Sequence, residues 1–210
     1  MGISINTVPV LDIHRPFTSK VIGTRAISKD INVINKIGEK TIEHFKEARI
    51  ATVIKHIPGH GLAKSDSHLK LPIVDKTYEY LMKNDFKTFK NKKSLFAMTA
   101  HILFKKIDAN NPVTHSSKII SIIKKKIKFQ NLIISDDISM KALKFNITLN
   151  TIKAFTAGCD LVLHCNGKIK EMTKDEFQAW QTLAKDTSYK QFVADYPEGQ
   201  RFLDLALAVE

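Results

Sequence analysis

Residues 50–68 read Ile50-Ala51-Thr52-Val53-Ile54-Lys55-His56-Ile57-Pro58-Gly59-His60-Gly61-Leu62-Ala63-Lys64-Ser65-Asp66-Ser67-His68. The first five are apolar or β-branched, the pattern of a buried strand. Lys55 and His56 therefore stand at the C-terminal end of that strand. Pro58, Gly59 and Gly61 supply turn backbone for the loop that follows. Asp66 and His68 then sit two residues apart on it. Titratable groups crowded just past a strand end are the way α/β folds build their sites.

Working outward, the same alternation repeats. Upstream, residues 3–11 form a strand pattern ending Val8-Pro9-Val10-Leu11, with Asp12 at its C-terminal edge. A loop with Ile22-Gly23-Thr24-Arg25 follows. Residues 29–48 place Ile31, Ile34, Ile37, Ile42 and Phe45 at helical spacing, with Ser28 or Asp30 as N-cap. Downstream, Tyr78 to Phe89 reads as a second amphipathic helix anchored by Leu81, Phe86 and Phe89. Residues 94–100 form a buried strand that ends at His101, and Lys118 to Ile127 is a basic helix. Phe129 to Ile134 is the next strand, terminating in Ser135-Asp136-Asp137. Leu149 to Ala157 is helical and leads through Gly158-Cys159 into a last strand at 160–165. Strand–helix alternation of this kind predicts a parallel sheet with its functional groups at one end.

The segment Lys55-His56-Ile57-Pro58-Gly59-His60-Gly61, with Asp66-Ser67-His68 after it, resembles the KHFPGHG…DSH signature of the β-N-acetylhexosaminidases of glycoside hydrolase family 3, of the muropeptide-recycling type. Companions occur in order. Pro9-Val10-Leu11-Asp12 and Gly23-Thr24-Arg25 match the PVLD…GxR segment, and Met98-Thr99-Ala100-His101 the MTAH strand. Asp108 with Pro112-Val113-Thr114 matches the D…PAT loop, and Ser135-Asp136-Asp137-Ile138-Ser139-Met140 the SDDLSM motif. The resemblance covers residues 2 to about 167. It implies a (β/α)8 TIM barrel, whose third to seventh strands are the five seen here. The first two strands and the early DQEGG.V segment are absent, and the eighth strand falls where the match stops. The expected architecture is thus α/β, a partial TIM barrel of about five of eight strand–helix units over residues 1–170. An unmatched acidic tail over 171–210 follows, with helical patterns at 175–184 and 199–209. The tail has eight acids against four bases, in an otherwise basic chain, which suggests a separate origin.

The resemblance also implies roles. Glycoside hydrolysis needs one group to trap the oxocarbenium carbon and one to protonate the leaving oxygen. Asp136 falls on the family's nucleophile. A carboxylate at the end of a buried strand is well fixed for that task. Asp137 is placed to cap the next helix. His68 falls on the acid/base, with Asp66 orienting it. An imidazole can give and take a proton near neutrality, and a neighbouring carboxylate fixes its tautomer. Arg25, Lys55 and His56 fall on the groups that hold the sugar. His60 and His101 read as structural groups lining the site.

Other classes fare worse. Pro58 and Gly59 break any helix that would put His56 and His60 on one face, and neither HExxH nor CxxC occurs, so no metal is expected, and the reaction that the resemblance implies needs no organic cofactor. Cys159 and Cys165 read as inert core thiols in a reducing compartment. The charge of +12 comes from lysines dispersed among Ile and Asn, without the aromatic interleaving of a nucleic-acid platform. No apolar run approaches a membrane span and no signal peptide is legible, so a cytoplasmic protein is expected. The implied partner is a saccharide with a terminal N-acetylglucosamine. Two alternatives stay open: a non-catalytic split-gene or frameshift remnant, and a fragment that needs a separate N-terminal partner to close the barrel.

Overall fold

The computed structural model describes residues 3–165. The expected helices of the 171–210 tail lie outside that range. In chain order the elements are β1 (Ile5–Asn6), α1 (Ile31–Glu47), β2 (Ala51–Ile57), β3 (Ile73–Val74), α2 (Tyr78–Lys83), β4 (Phe96–Thr99), β5 (Leu103–Phe104), α3 (Ser117–Ile122), β6 (Leu132–Asp137), α4 (Ile147–Ala157) and β7 (Leu161–Leu163). The main sheet runs β1-β2-β4-β6-β7, and every pairing in it is parallel. A bridge between Val10 and Lys55 extends the β1–β2 pairing toward the strand ends. Five parallel strands, joined in chain order by four helices, make the expected partial barrel. A separate ribbon pairs β3 with β5, two short segments that carry too little pattern to be read as strands.

The register explains the apolar alternation. Ile54, Ala97 and Ile133 lie side by side and have no exposed surface. They face the main core with Ile34 and Ile42 of α1 and Ile119 and Ile120 of α3. Val53, Phe96 and Met98 project to the other face, where Leu132, Ile134 and Leu161 join them. Burial on both faces is what a parallel sheet under helices requires. α1 begins where Asp30 accepts from the amides of Asn32 and Val33 at 2.7 and 3.3 Å, and Asn146 caps α4 by accepting from Leu149 at 2.9 Å.

Four boundaries differ from the sequence reading. β2 runs on to Ile57 and β6 to Asp137, because Ile57 still pairs with Thr99 and Asp137 with Leu163. Lys55, His56 and Asp136 thus stand at the strand ends, as expected, with the strands running one residue beyond His56 and Asp136. The helix expected over 78–89 breaks at Asn84, and Asp85–Phe89 forms a tighter 3-10 turn. The break lets Asp85 turn inward to meet Arg15 while Phe86 and Phe89 stay fully buried. The basic helix over 118–127 begins as α3 and widens into a π turn at Ile123–Ile127, ending at Lys128 in the left-handed conformation.

Two glycines mark close approaches. A Cβ on Gly38 of α1 would lie 2.5 Å from Leu11 Cδ2, the free end of a side chain. A Cβ on Gly61 would lie 2.2 Å from the carbonyl oxygen of Ile13, which is backbone. Gly38→Ala is expected to be nearly neutral, because about 1 kcal/mol of helix propensity offsets the movement of Leu11. Gly61→Ala is expected to cost about 1–3 kcal/mol, since a loop must shift. Urea midpoints of the two variants check this; equal losses would contradict it.

Candidate active site

Because all five strands of the main sheet point the same way, their C-terminal ends collect the site. The loop after Val10 supplies Asp12, which is fully buried. A buried carboxylate needs donors, and here they come from the end of β2 and its loop. The Asp12 oxygens accept from the His56 amide at 3.2 and 3.3 Å, from His56 Nδ1 at 2.8 Å and from the His60 amide at 2.6 Å. Burial works to raise the Asp12 carboxyl, but the charge and hydrogen bond of His56, with His60 behind them, outweigh it and hold the group below the usual range.

The Pro58-Gly59-His60-Gly61 turn is packed from outside by a second buried acid. Asp85 accepts two hydrogen bonds from the Arg15 guanidinium, at 2.8 and 2.9 Å. Gly59 has φ +141° and its Cβ position lies 2.8 Å from Asp85 Cβ, so glycine is required there twice over. The Arg15 guanidinium also lies 2.8 Å from the Cβ position of Gly61. His60 packs edge-on to His56 with ring centroids 5.5 Å apart. Its Nε2 meets the Ser67 hydroxyl at 3.3 Å, and its buried Nδ1 has no described partner. Burial first, and then the neighbouring His56, push the His60 imidazole down to about 4.

On β6, Asp136 is half-buried and accepts from the Asp137 amide at 2.9 Å. Burial works to raise its carboxyl, while the charges of His56 and His101, the Asp137 amide and His60 hold it below the usual range. The carboxyl is thus kept ionised in a partly dry place. His101, after β4, is buried and joins two strands. Its Nε2 lies 3.0 Å from the Asp137 carbonyl, so that nitrogen carries the proton and donates. Its Nδ1 then accepts from the Thr114 hydroxyl at 2.7 Å, and Thr114 meets Thr99 at 2.9 Å. Burial above all lowers the pKa of this imidazole, against the pull of Asp136 and Asp137.

Lys55 is half-buried. Burial and the charge of Arg25 lower its ammonium pKa, against Asp136 and Asp12, which raise it. Arg25, Lys55, His56 and Asp136 thus share one field. Arg25 itself is exposed, and its Nε donates to the Val21 carbonyl at 2.9 Å. Asp66 and His68 lie on the loop after β2. Asp66 Oδ1 accepts from the His68 amide and from His68 Nδ1, both at 2.8 Å, and His68 is exposed. Some burial raises the Asp66 carboxyl, but the two hydrogen bonds and the charge of His68 bring it below the usual range. The loop is tied to the segment after Asp136, where the Ala142 amide donates to the Ser67 carbonyl at 3.2 Å. All six residues singled out from the sequence therefore lie at the same end of the sheet.

Two sequence readings are corrected. Asp137 caps no helix; it closes a turn by accepting from Ser139 N at 3.0 Å and Ser139 Oγ at 2.7 Å, and it takes the Cys165 amide at 3.1 Å. Cys165 is exposed, because β7 ends at Leu163; Cys159 is buried, and burial pushes its thiol up to about 12. Among the described residues no three His, Cys, Asp or Glu side chains are grouped to hold a metal ion. No described helix is long and apolar enough to cross a membrane. The sequence reading missed the Asp12 contacts and the Arg15–Asp85 pair altogether. Asp12 could have been suspected as an acid at a strand end; Arg15 and Asp85, 70 residues apart, carry no local signal.

The model of the glycosyl hydrolase family 3 N-terminal domain matches residues 1–191, past the compositional break near residue 170. The chain belongs to glycoside hydrolase family 3. Curated relatives named β-hexosaminidase include those of Glaesserella parasuis serovar 5 (strain SH0165) and Idiomarina loihiensis (strain ATCC BAA-735 / DSM 15497 / L2-TR). The first is 35% identical over 172 residues, covering 79% of this chain and 50% of the relative. The second is 34% identical over 172 residues, covering 80% and 52%. This family 3 chain thus spans about half the length of the curated relatives it matches. Among solved structures, a family 3 β-N-acetylglucosaminidase from Paenibacillus sp. str. FPU-7 superposes with TM-score 0.78 at 26% identity, over 99% of this chain and 41% of that one. NagZ from Neisseria gonorrhoeae gives TM-score 0.72 at 25% identity, over 92% and 62%.

The low value of His60 sets a pH dependence of stability. Between about pH 6.5, the ordinary imidazole value, and about 4, the unfolded chain takes a proton at this residue and the folded protein does not. Stability is therefore whole above that window and falls as acid is added through it, by at most about 1.4 kcal/mol per pH unit from this one residue. Urea unfolding at pH 7.5 and 5.0 measures the slope. His60→Gln is expected to flatten it, and an unchanged slope would contradict the assignment.

Proposed function

We propose that this chain carries the nucleophile and the acid/base loop of a retaining glycosidase that removes terminal β-linked N-acetylglucosamine. The observation that carries the reading is the Asp66–His68 pair at 2.8 Å, on a loop hydrogen-bonded to the segment that follows Asp136. The donor set suits a two-step displacement. Asp136 attacks the anomeric carbon while the glycosidic C–O bond breaks. His68 gives its Nε2 proton to the departing oxygen, its Nδ1 being held by Asp66. A glycosyl ester on Asp136 results. Water then attacks the same carbon, His68 takes its proton, and the Asp136 carboxylate is released with net retention. Arg25 and Lys55 supply N–H donors around Asp136, and His56 a ring nitrogen, suited to sugar hydroxyls. The relatives' printed names support the N-acetylglucosamine preference. The substrate we assign is a GlcNAc–anhydroMurNAc peptide released from the cell wall, met in the cytoplasm.

A second reading is favoured by one observation. The relatives are about twice as long, and among the described residues β1 and β7 are sheet edges without a strand beyond them. In that reading the remaining strands come from a separate polypeptide, and the chain alone turns over little or nothing.

A chromogenic GlcNAc-β-glycoside tests both. Turnover by the wild type, lost at least about a thousandfold in Asp136→Ala and about a hundredfold or more in His68→Ala, is the expected outcome for the first. Turnover that appears only on adding a chain with the missing strands supports the second. Equal turnover by wild type and Asp136→Ala would sink the nucleophile assignment.

A further inference from the structure

We propose that Asp12 is a positioning residue of this site: its carboxylate keeps a proton on His56 Nδ1 and so reserves Nε2 for the sugar. The inference rests on, and deepens, the reading of Lys55 and His56 as sugar-holding groups.

The geometry leaves little freedom. Asp12 has no exposed surface, and every hydrogen bond it accepts comes from the end of β2 and its loop. A carboxylate only accepts, so the 2.8 Å contact with Nδ1 requires a proton on that nitrogen whether the ring is neutral or charged. Nε2 has no described partner. It is the one polar ring atom that His56 can turn to a ligand, on the residue whose charge foremost acts on Asp136. The two backbone amides already fix the loop. The third bond, to the ring, adds nothing to the backbone. It selects a tautomer and locks the ring's orientation, as an acid behind a working histidine does.

Holding the ring in advance removes an ordering cost from binding. With an amide in place of the acid, one of the three donors would face an NH2 group, and the ring nitrogen is the one free to turn away. His56 would then sample the other tautomer, with its proton on Nε2.

The test uses the full chain labelled with 15N-histidine, with His56→Gln providing the assignment of the His56 signals. Long-range proton–nitrogen correlation in the wild type is expected to show a protonated Nδ1 protected from exchange. In Asp12→Asn that signal is lost or exchanges, while cooperative unfolding is kept. N-acetylglucosamine titrated into the two proteins is expected to bind the variant about ten- to a hundredfold more weakly, the effect of leaving one hydrogen-bonding group mispaired. A bare Nδ1 in the wild type would overturn the proposal, and this holds even if Asp12→Asn does not fold. Unchanged His56 signals in the variant, or changed signals with unchanged affinity, would overturn it as well. A wild type that keeps the Nδ1 proton but takes no N-acetylglucosamine would refute the sugar-binding reading, while the loss of that proton in Asp12→Asn would still establish control of the tautomer.

Discussion

A carboxylate with no access to water is the constraint around which this site is arranged. Asp12 cannot be buried unless donors converge on it, since an ionised acid without them costs several kcal/mol. The chain meets that demand with two consecutive features of one segment, the end of β2 and the turn after it. The same bonds that make Asp12 tolerable therefore fix where Lys55, His56 and His60 stand. The Arg15–Asp85 pair presses on the turn from the other side, and the two glycines let it come that close. The loop is set by being clamped between two acids, one with imidazole and amide partners and one with a guanidinium.

Electrostatics then divides the labour among groups of similar chemistry. Asp12, Asp66 and Asp136 are all acids held below their ordinary range, but by different surroundings. Asp12 is held by donors in direct contact, Asp66 by its own loop's histidine, and Asp136 largely by the fields of His56 and His101. The last arrangement leaves its oxygens less committed to protein donors than those of Asp12, which is what a nucleophile needs. The histidines divide likewise. His101 is a strut between Thr114 and the Asp137 carbonyl, and burial pushes the His60 imidazole down to about 4. Of the site histidines, His56, His60 and His101 are buried and His68 is exposed.

Much of this was legible in the sequence because the signals are local. Strand–helix alternation gave the parallel sheet, since apolar runs bounded by turn residues leave few alternatives. The residues of the Lys55–His68 stretch and of Ser135 to Met140 are contiguous, so a motif can be read without knowing the fold. What was missed depends on distance. Nothing near Arg15 announces Asp85, and nothing near Asp12 announces which amides it will take. The helix over 78–89 has an unbroken apolar spacing, so its interruption at Asn84 is invisible until Asp85 is seen to turn inward. The strands run further than the apolar runs 50–54 and 129–134, which end where polar residues begin. Pairing with a neighbouring strand carries them past that point.

The placement of the two proposed reacting groups follows the same logic of rigidity. Asp136 lies in a strand paired on both sides, with the His101 strut on the next carbonyl. Asp66 and His68 lie on a loop fastened by the Ser67 contacts to His60 and Ala142, one through the hydroxyl and one through the carbonyl. A nucleophile must hit one carbon along one line, so a fixed strand suits it. A proton donor must reach an oxygen whose position depends on the leaving group, and then admit water from the same side. A loop with few anchors can do both, provided its histidine carries its own carboxylate with it. Spacing Asp66 and His68 two residues apart on that loop meets the proviso, because the dyad moves as one unit whatever the loop does.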